Sequence, residues 1–90
     1  MAYIIKTTGE VIEAKPKNGT DFQLDELQAI VGGYIEAVSL HDGRLIVCDE
    51  QGKCKGKERN HTATDIFQAN VPTKDFLVGD VLVCREEQIK

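Results

Sequence analysis

The chain has no apolar run approaching the roughly 20 residues that span a membrane. It carries one serine, two histidines, and three cysteines with no Cys-x-x-Cys pair. Each shortage excludes something. With Ser39 as the sole hydroxyl of its kind, lying in strand-like sequence, classical nucleophilic catalysis is poorly supported. A Cys–His pair is no better placed, since His41 sits beside a turn at the far end of its hairpin from Cys48. Three unpaired cysteines indicate neither a disulfide framework nor a zinc knuckle, and no metal site joining them to His41 or His61 is expected. The start, Met1 to Lys6, lacks a basic segment followed by an apolar core and cleavage site. Reduced thiols in a cytoplasm are therefore expected. Basic residues are also in deficit: 11 Lys and Arg against 15 Asp and Glu give a net charge of −4. General nucleic-acid binding is disfavoured, and the charge is too modest for a DNA mimic.

What remains is ordinary soluble-domain composition, 41% hydrophobic and 29% charged over 90 residues. That length holds one core, worth about 5–10 kcal/mol of net stability. Tyr3–Lys6 and Glu10–Ala14 flank Thr7-Thr8-Gly9 and read as an opening hairpin. Loops of two or three residues would put Ile4 on opposite faces. Pro16 and Asn18-Gly19 break the pattern. From Phe22 to Val31, Leu24, Leu27, Ile30 and Val31 recur at helical spacing, with Asp21 or Thr20 as cap and Gly32 as left-handed stop.

Tyr34–Leu40 and Arg44–Asp49 surround Asp42-Gly43, the strongest short hairpin signal. A two-residue loop would pair Leu40 with Leu45, Val38 with Val47 and Glu36 with Asp49. Both faces are apolar in the middle, which predicts a central hairpin covered by the helix on one side and by a second layer or another subunit on the other. Gln51–Arg59 reads as a loop, Thr62–Ala69 as a second short helix capped by Thr62 with Ala63, Ile66 and Phe67 inward, and Pro72 as its end or the start of a linker. Phe76–Cys84 holds one strand, or two about Gly79-Asp80. Arg85–Lys90 reads as a frayed polar tail. The expected fold is α+β: a small, mostly antiparallel sheet with one main helix packed on it and a lesser second one.

Two constellations could carry chemistry. Glu36 facing Asp49 would set like charges together, raising one pKa or holding a divalent cation. Gly52-Lys53-Cys54-Lys55-Gly56-Lys57-Glu58-Arg59 carries +3 inside an acidic chain. Gly52 and Gly56 allow backbone amides to turn toward an anion. If extended, the segment projects Lys53, Lys55, Lys57 and Arg59 on one side, toward a phosphorylated small molecule or an acidic protein patch. The spacing is not that of a P-loop, and no base-stacking aromatics accompany it. The plain alternative is a solvated loop. Cys48 and Cys84 lie in apolar runs and act as small hydrophobes; Cys54, flanked by lysines that favour a thiolate, is otherwise an incidental loop thiol.

Leu27-Gln28-Ala29-Ile30-Val31-Gly32-Gly33-Tyr34-Ile35-Glu36 resembles the signature of the domain of unknown function 3846 family, small proteins of phages, plasmids and bacteria, often of gut and other Firmicutes-type hosts. The likeness extends through Asp42-Gly43, Asp49–Lys53 and Val78–Val83, nearly the whole chain. Gln23 departs from the expected Ser or Thr helix cap, which moves capping to Asp21 or Thr20. The resemblance implies origin more than activity, and no cofactor. Small mobile-element proteins often counter host defences, which implies a non-catalytic protein sequestering a phosphorylated nucleotide signal. Its pocket could be shared within a homo-oligomer, with the Lys53–Arg59 loop on phosphates and Tyr34 or Tyr3 stacking on a base. The alternatives are an interaction module docking on a host or phage protein through a strand edge or apolar face, and a metal-dependent hydrolase using Glu36 and Asp49.

Overall fold

The computed structural model describes residues 2–89. In chain order its elements are β1 (Ala2–Ile5), β2 (Val11–Ala14), α1 (Leu24–Val31), β3 (Ile35–Ser39), β4 (Arg44–Asp49), α2 (His61–Asn70) and β5 (Val81–Arg85). The strands form one antiparallel sheet in the order β2-β1-β5-β4-β3. The last strand thus inserts between two hairpins. Val81, Leu82, Val83 and Cys84 are all buried, because β5 has a neighbour on each side and a helix over each face.

Alternation sorts the core into two layers. Ile5, Ile46, Cys48, Val81 and Val83 pack under Ala63 and Phe67 of α2, with Leu77. On the opposite face Ala2, Val47, Leu82 and Cys84 pack under Leu27 and Val31 of α1, with Phe22. The second layer anticipated over the hairpin is therefore this chain's own α2, which is longer than α1 rather than lesser. β4 is covered on both sides as the apolar pattern requires. β3 is not central: it forms the sheet edge, with Glu36, Ala37 and Ser39 exposed.

Turn geometry decides both hairpin registers. In the first, Lys6 N–H donates to the Glu10 carbonyl at 2.8 Å and Gly9 adopts φ +93°, so the loop is the three-residue Thr7-Thr8-Gly9 and Ile4 opposes Ile12. In the second, the expected two-residue loop is not formed. His41 (φ +65°) and Gly43 (φ +89°) are both left-handed, and Leu40 N–H closes onto the Arg44 carbonyl at 3.0 Å. The Asp42 carboxylate holds this wider loop by accepting from Arg44 N–H at 3.1 Å and from its guanidinium at 2.9 and 2.7 Å. The register slips by one: Ser39 opposes Leu45, Ala37 opposes Val47, Glu36 opposes Cys48 and Ile35 opposes Asp49. Because side chains alternate, the slip puts Glu36 and Asp49 on opposite faces.

Both helix caps also differ from expectation. α1 is capped by Gln23, whose backbone N–H donates to Glu26 Oε2 at 2.8 Å in a capping box; neither Asp21 nor Thr20 serves. Leu24 is 57% exposed, so the inward stripe is Leu27 and Val31 with a half-buried Ile30. Gly32 ends the helix at φ +81° as expected. α2 is capped by Asn60, not Thr62, through its side-chain oxygen on Ala63 N–H at 3.0 Å. It ends one residue before Val71, extended ahead of Pro72. In the closing run only Val81–Arg85 enters the sheet; Gly79 (φ +75°) turns the chain, and Val78 bridges to Arg59. The tail is not frayed over its described part. Glu86–Gln88 form a 3-10 turn, Ile89 pairs with Phe22, and Phe22 N–H donates to the Gln88 carbonyl at 2.6 Å. Lys90 lies outside the described residues.

Candidate functional site

The basic loop is a chain of turns, not an extended segment. Gly52 N–H donates to the Asp49 carbonyl, Lys55 N–H to Gln51, Gly56 N–H to Lys53 and Lys57 N–H to Gly52, all at 3.0–3.2 Å. Its four cations consequently diverge. Lys53 pairs with Asp75 and lies over the Phe76 ring, 4.3 Å from the centroid, and the Arg59 guanidinium lies 4.0 Å from the same centroid. Lys55 and Lys57 turn the other way, each 2.8 Å from Asp49 Oδ2. Gly52 sits tight beneath Val78, where a Cβ would come within 2.8 Å of Cγ2. Gly56 occupies a surface turn at φ +71°. The loop's positive charge is thus largely matched from within: a buried carboxylate, an exposed one and an aromatic face.

Asp49 is the anchor of this arrangement. Its side chain is 1% exposed at the end of β4. Burial by itself would push its carboxyl up. Hydrogen bonds from Lys55, Lys57 and the Gln51 N–H outweigh that penalty and hold it well below the usual carboxylate range. Lys57 Nζ also donates to the Val31 carbonyl at 2.6 Å, placing a cation on the negative end of α1. Lys57 therefore ties a helix end to a strand end. Gly33 permits the approach, since a Cβ there would lie 2.5 Å from Lys55 Nζ and 2.9 Å from Asp49 Oδ2. The adjacent glycines thus do two jobs: Gly32 supplies the left-handed cap and Gly33 gives room for the clasp.

Beside the clasp is a shallow depression of about 250 Å³ lined by Gln28, Gly33, Tyr34, Gln51 and Lys55. Tyr34 is 66% exposed. Among the residues singled out by sequence, the structure brings Tyr34 and Lys55 together here. Lys53 and Arg59 are directed to Phe76 instead, while Lys57 is held behind Lys55 by Asp49 and Val31. Gln28 and Gln51 carry no sequence signal, being polar residues on a helix's outer face and in a turn; only folding sets them around one aromatic ring. Phe76, seventeen residues past Arg59, is the aromatic partner of the basic loop.

Two other surfaces bear on function. A groove of about 480 Å³ between α1 and the β1–β2 hairpin is lined by Ile4, Ala14, Phe22 and Ile30, together with charges of both signs, Lys15, Lys17, Asp25 and Glu26. Glu36 and Asp49, expected to face each other, do not, which removes the geometry on which a metal-dependent hydrolase rested. Among the described residues no group of three His, Cys, Asp or Glu side chains gathers to hold a metal ion. The Cys48 and Cys84 thiols are buried, and burial pushes each up to about 11; Cys54 is exposed. No helix among the described residues is long and apolar enough to cross a membrane.

Neither a curated protein nor a solved structure is significantly similar to the chain. A family model described as Domain of unknown function (DUF3846) matches residues 1–89, essentially the whole chain, and the protein therefore belongs to that family.

Proposed function

We propose that this is a small non-catalytic binding protein that takes a nucleotide-type ligand on the Tyr34 surface. One observation carries the reading: an exposed tyrosine ring, two side-chain amides and a fixed ammonium surround one depression. Those are the groups a phosphorylated base needs. The Tyr34 ring offers a stacking platform, worth about 1–3 kcal/mol per base. Gln28 and Gln51 can each donate and accept at a base edge. Lys55, 39% exposed and positioned by Asp49, meets a phosphate without first having to be ordered. In the phage and plasmid setting that the family resemblance implies, sequestering a host defence signal is the role such a surface would fill, in the cytoplasm of the host.

Thermal shift against cyclic dinucleotides, ADP-ribose derivatives and mononucleotides tests this. A ligand at about 100 times its Kd stabilises by about 2.7 kcal/mol, a rise of roughly 10–20 °C for a domain of this size. Tyr34→Ala should abolish the rise while leaving the unliganded midpoint within about 2 °C. The ligand should be recovered unchanged. If every nucleotide leaves the midpoint where it was, the reading is wrong.

A second reading, docking on a host or phage protein, is favoured by the apolar groove beside α1. It requires a stoichiometric partner whose binding is lost on Ile30→Asp but survives Tyr34→Ala.

A further inference from the structure

The two edges of the sheet are unlike. β2, at one edge, has four residues and runs directly into Lys15-Pro16, and lysine and proline are the residues that discourage an edge from pairing. β3, at the other, has five residues, Ile35-Glu36-Ala37-Val38-Ser39, with neither lysine nor proline and a single charge. Leu40 N–H donates to the Arg44 carbonyl and Glu50 N–H to the Tyr34 carbonyl, which fixes the residues that bond inward to β4. Alternation of the antiparallel ladder then turns the N–H and C=O groups of Ile35, Ala37 and Ser39 outward. Glu36, Ala37 and Ser39 are exposed, so among the described residues no layer covers this edge.

We propose that β3 is a self-association edge, on which a second copy of this chain pairs antiparallel about a two-fold axis through Ala37. The sheet would continue from β4 and β3 of one copy into β3 and β4 of the other. The register follows from charge and length. A two-fold keeps each face of the sheet on its own side, so only residues of like parity can oppose each other. Centring on Glu36 sets its carboxylate directly against its symmetry mate, which is destabilising. Centring on Val38 leaves only residues 37–39 paired within both strands. Centring on Ala37 uses the whole strand: Ile35 opposes Ser39, Glu36 opposes Val38, and Ala37 opposes Ala37 as a hydrogen-bonded pair. No like charges meet. The same register puts His41 of the partner subunit opposite Gly33, at the margin of the Tyr34 depression. That consequence alone rests on the nucleotide reading; the dimer does not.

Sedimentation or light scattering of the full chain, without nucleotide, gives the first readout: twice the monomer mass of 10.0 kDa. Ala37→Lys sets two ammoniums against each other on the axis and should yield the monomer with an unchanged circular dichroism spectrum. Cross-linking keeps the test independent of that variant's folding. In a Cys54→Ser background, Ala37→Cys sets Cα atoms about 5.5 Å apart across the axis, within disulfide reach. Mild oxidation should convert it to a covalent dimer. Ser39→Cys lies roughly 13 Å from its mate along the strand and should not cross-link. A monomeric mass at every attainable concentration overturns the proposal. So does a dimer that survives Ala37→Lys, or one in which Ser39→Cys links as readily as Ala37→Cys, or a monomer that accepts only another protein's strand. A dimer that forms as described but binds no nucleotide leaves the edge assignment standing and removes only the ligand reading.

Discussion

Replacing Asn60 by aspartate changes one buried amide into a carboxyl of the same shape. Asn60 is fully buried, and its Nδ2 donates to the carbonyls of Ile5 and Gly79, both at 2.9 Å, while Oδ1 caps α2 at Ala63 N–H. One side chain thereby joins the end of β1, the turn before β5 and the start of α2. Aspartate retains the cap but brings an acceptor against two acceptors. Each buried carbonyl left without its donor costs about 1–3 kcal/mol, so the pair costs about 4 kcal/mol before any charge is counted. That is about half of the stability of a 90-residue domain. At a urea m-value of about 1–2 kcal/mol per molar, the unfolding midpoint should fall by roughly 2–4 M at neutral pH. The pH dependence identifies the cause. Full burial, with the two facing carbonyls outweighing the single Ala63 N–H donor, raises the folded carboxyl above its unfolded value of about 4. A raised folded pKa contributes stability that is full below the unfolded value and lost as pH rises through the folded one. Asn60→Asp should therefore recover part of its loss on acidification, when the neutral carboxyl can donate to one carbonyl. Asn60→Ala should lose a similar amount with no such recovery. Asn60→Asp within 1 kcal/mol of the parent at pH 7, or a loss that does not ease with acid, would refute the reasoning.

Other perturbations have equally definite outcomes. Asp49→Asn should cost about 2 kcal/mol at pH 7, less than breaking a fully buried pair because Lys55 keeps 39% exposure. Its carboxyl is depressed in the fold, so the difference from the parent should close as pH falls below the unfolded value of about 4; parallel urea midpoints from pH 7 to 3 would contradict this. Native alkylation at pH 8 followed by mass measurement should add one group, on Cys54, and three after unfolding, since Cys48 and Cys84 are buried thiols raised to about 11.

Much of the architecture was legible along the chain. The two hairpins, the helix ending at Gly32 and the inward set Ala63 and Phe67 follow from periodicity and turn chemistry, which act within a few residues. So does the burial of Cys48 and Cys84. What failed did so at places where local signals compete. Asp42-Gly43 is a strong two-residue turn, yet His41 also tolerates the left-handed region, and the Arg44 guanidinium on Asp42 favours the wider loop. That one-residue slip took Glu36 away from Asp49. Thr62 is a reasonable cap, but Asn60 satisfies three groups at once and only one of them is local.

Local sequence suffices for an α+β fold of this family, with a basic, glycine-spaced loop in an acidic chain. Composition, spacing and alternation are properties of neighbours, and they suffice for that. Tertiary structure alone decided that β5 inserts between the hairpins, that β3 is an open edge, and that Asp49 and Asp75 set the directions of the loop's lysines. It also decided that Tyr34, Gln28, Gln51 and Lys55 meet. A charge on the chain has no fixed partner until the fold brings distant carboxylates, carbonyls and rings within a few ångströms, and at those distances burial and hydrogen bonding outweigh the sign of the sequence around it.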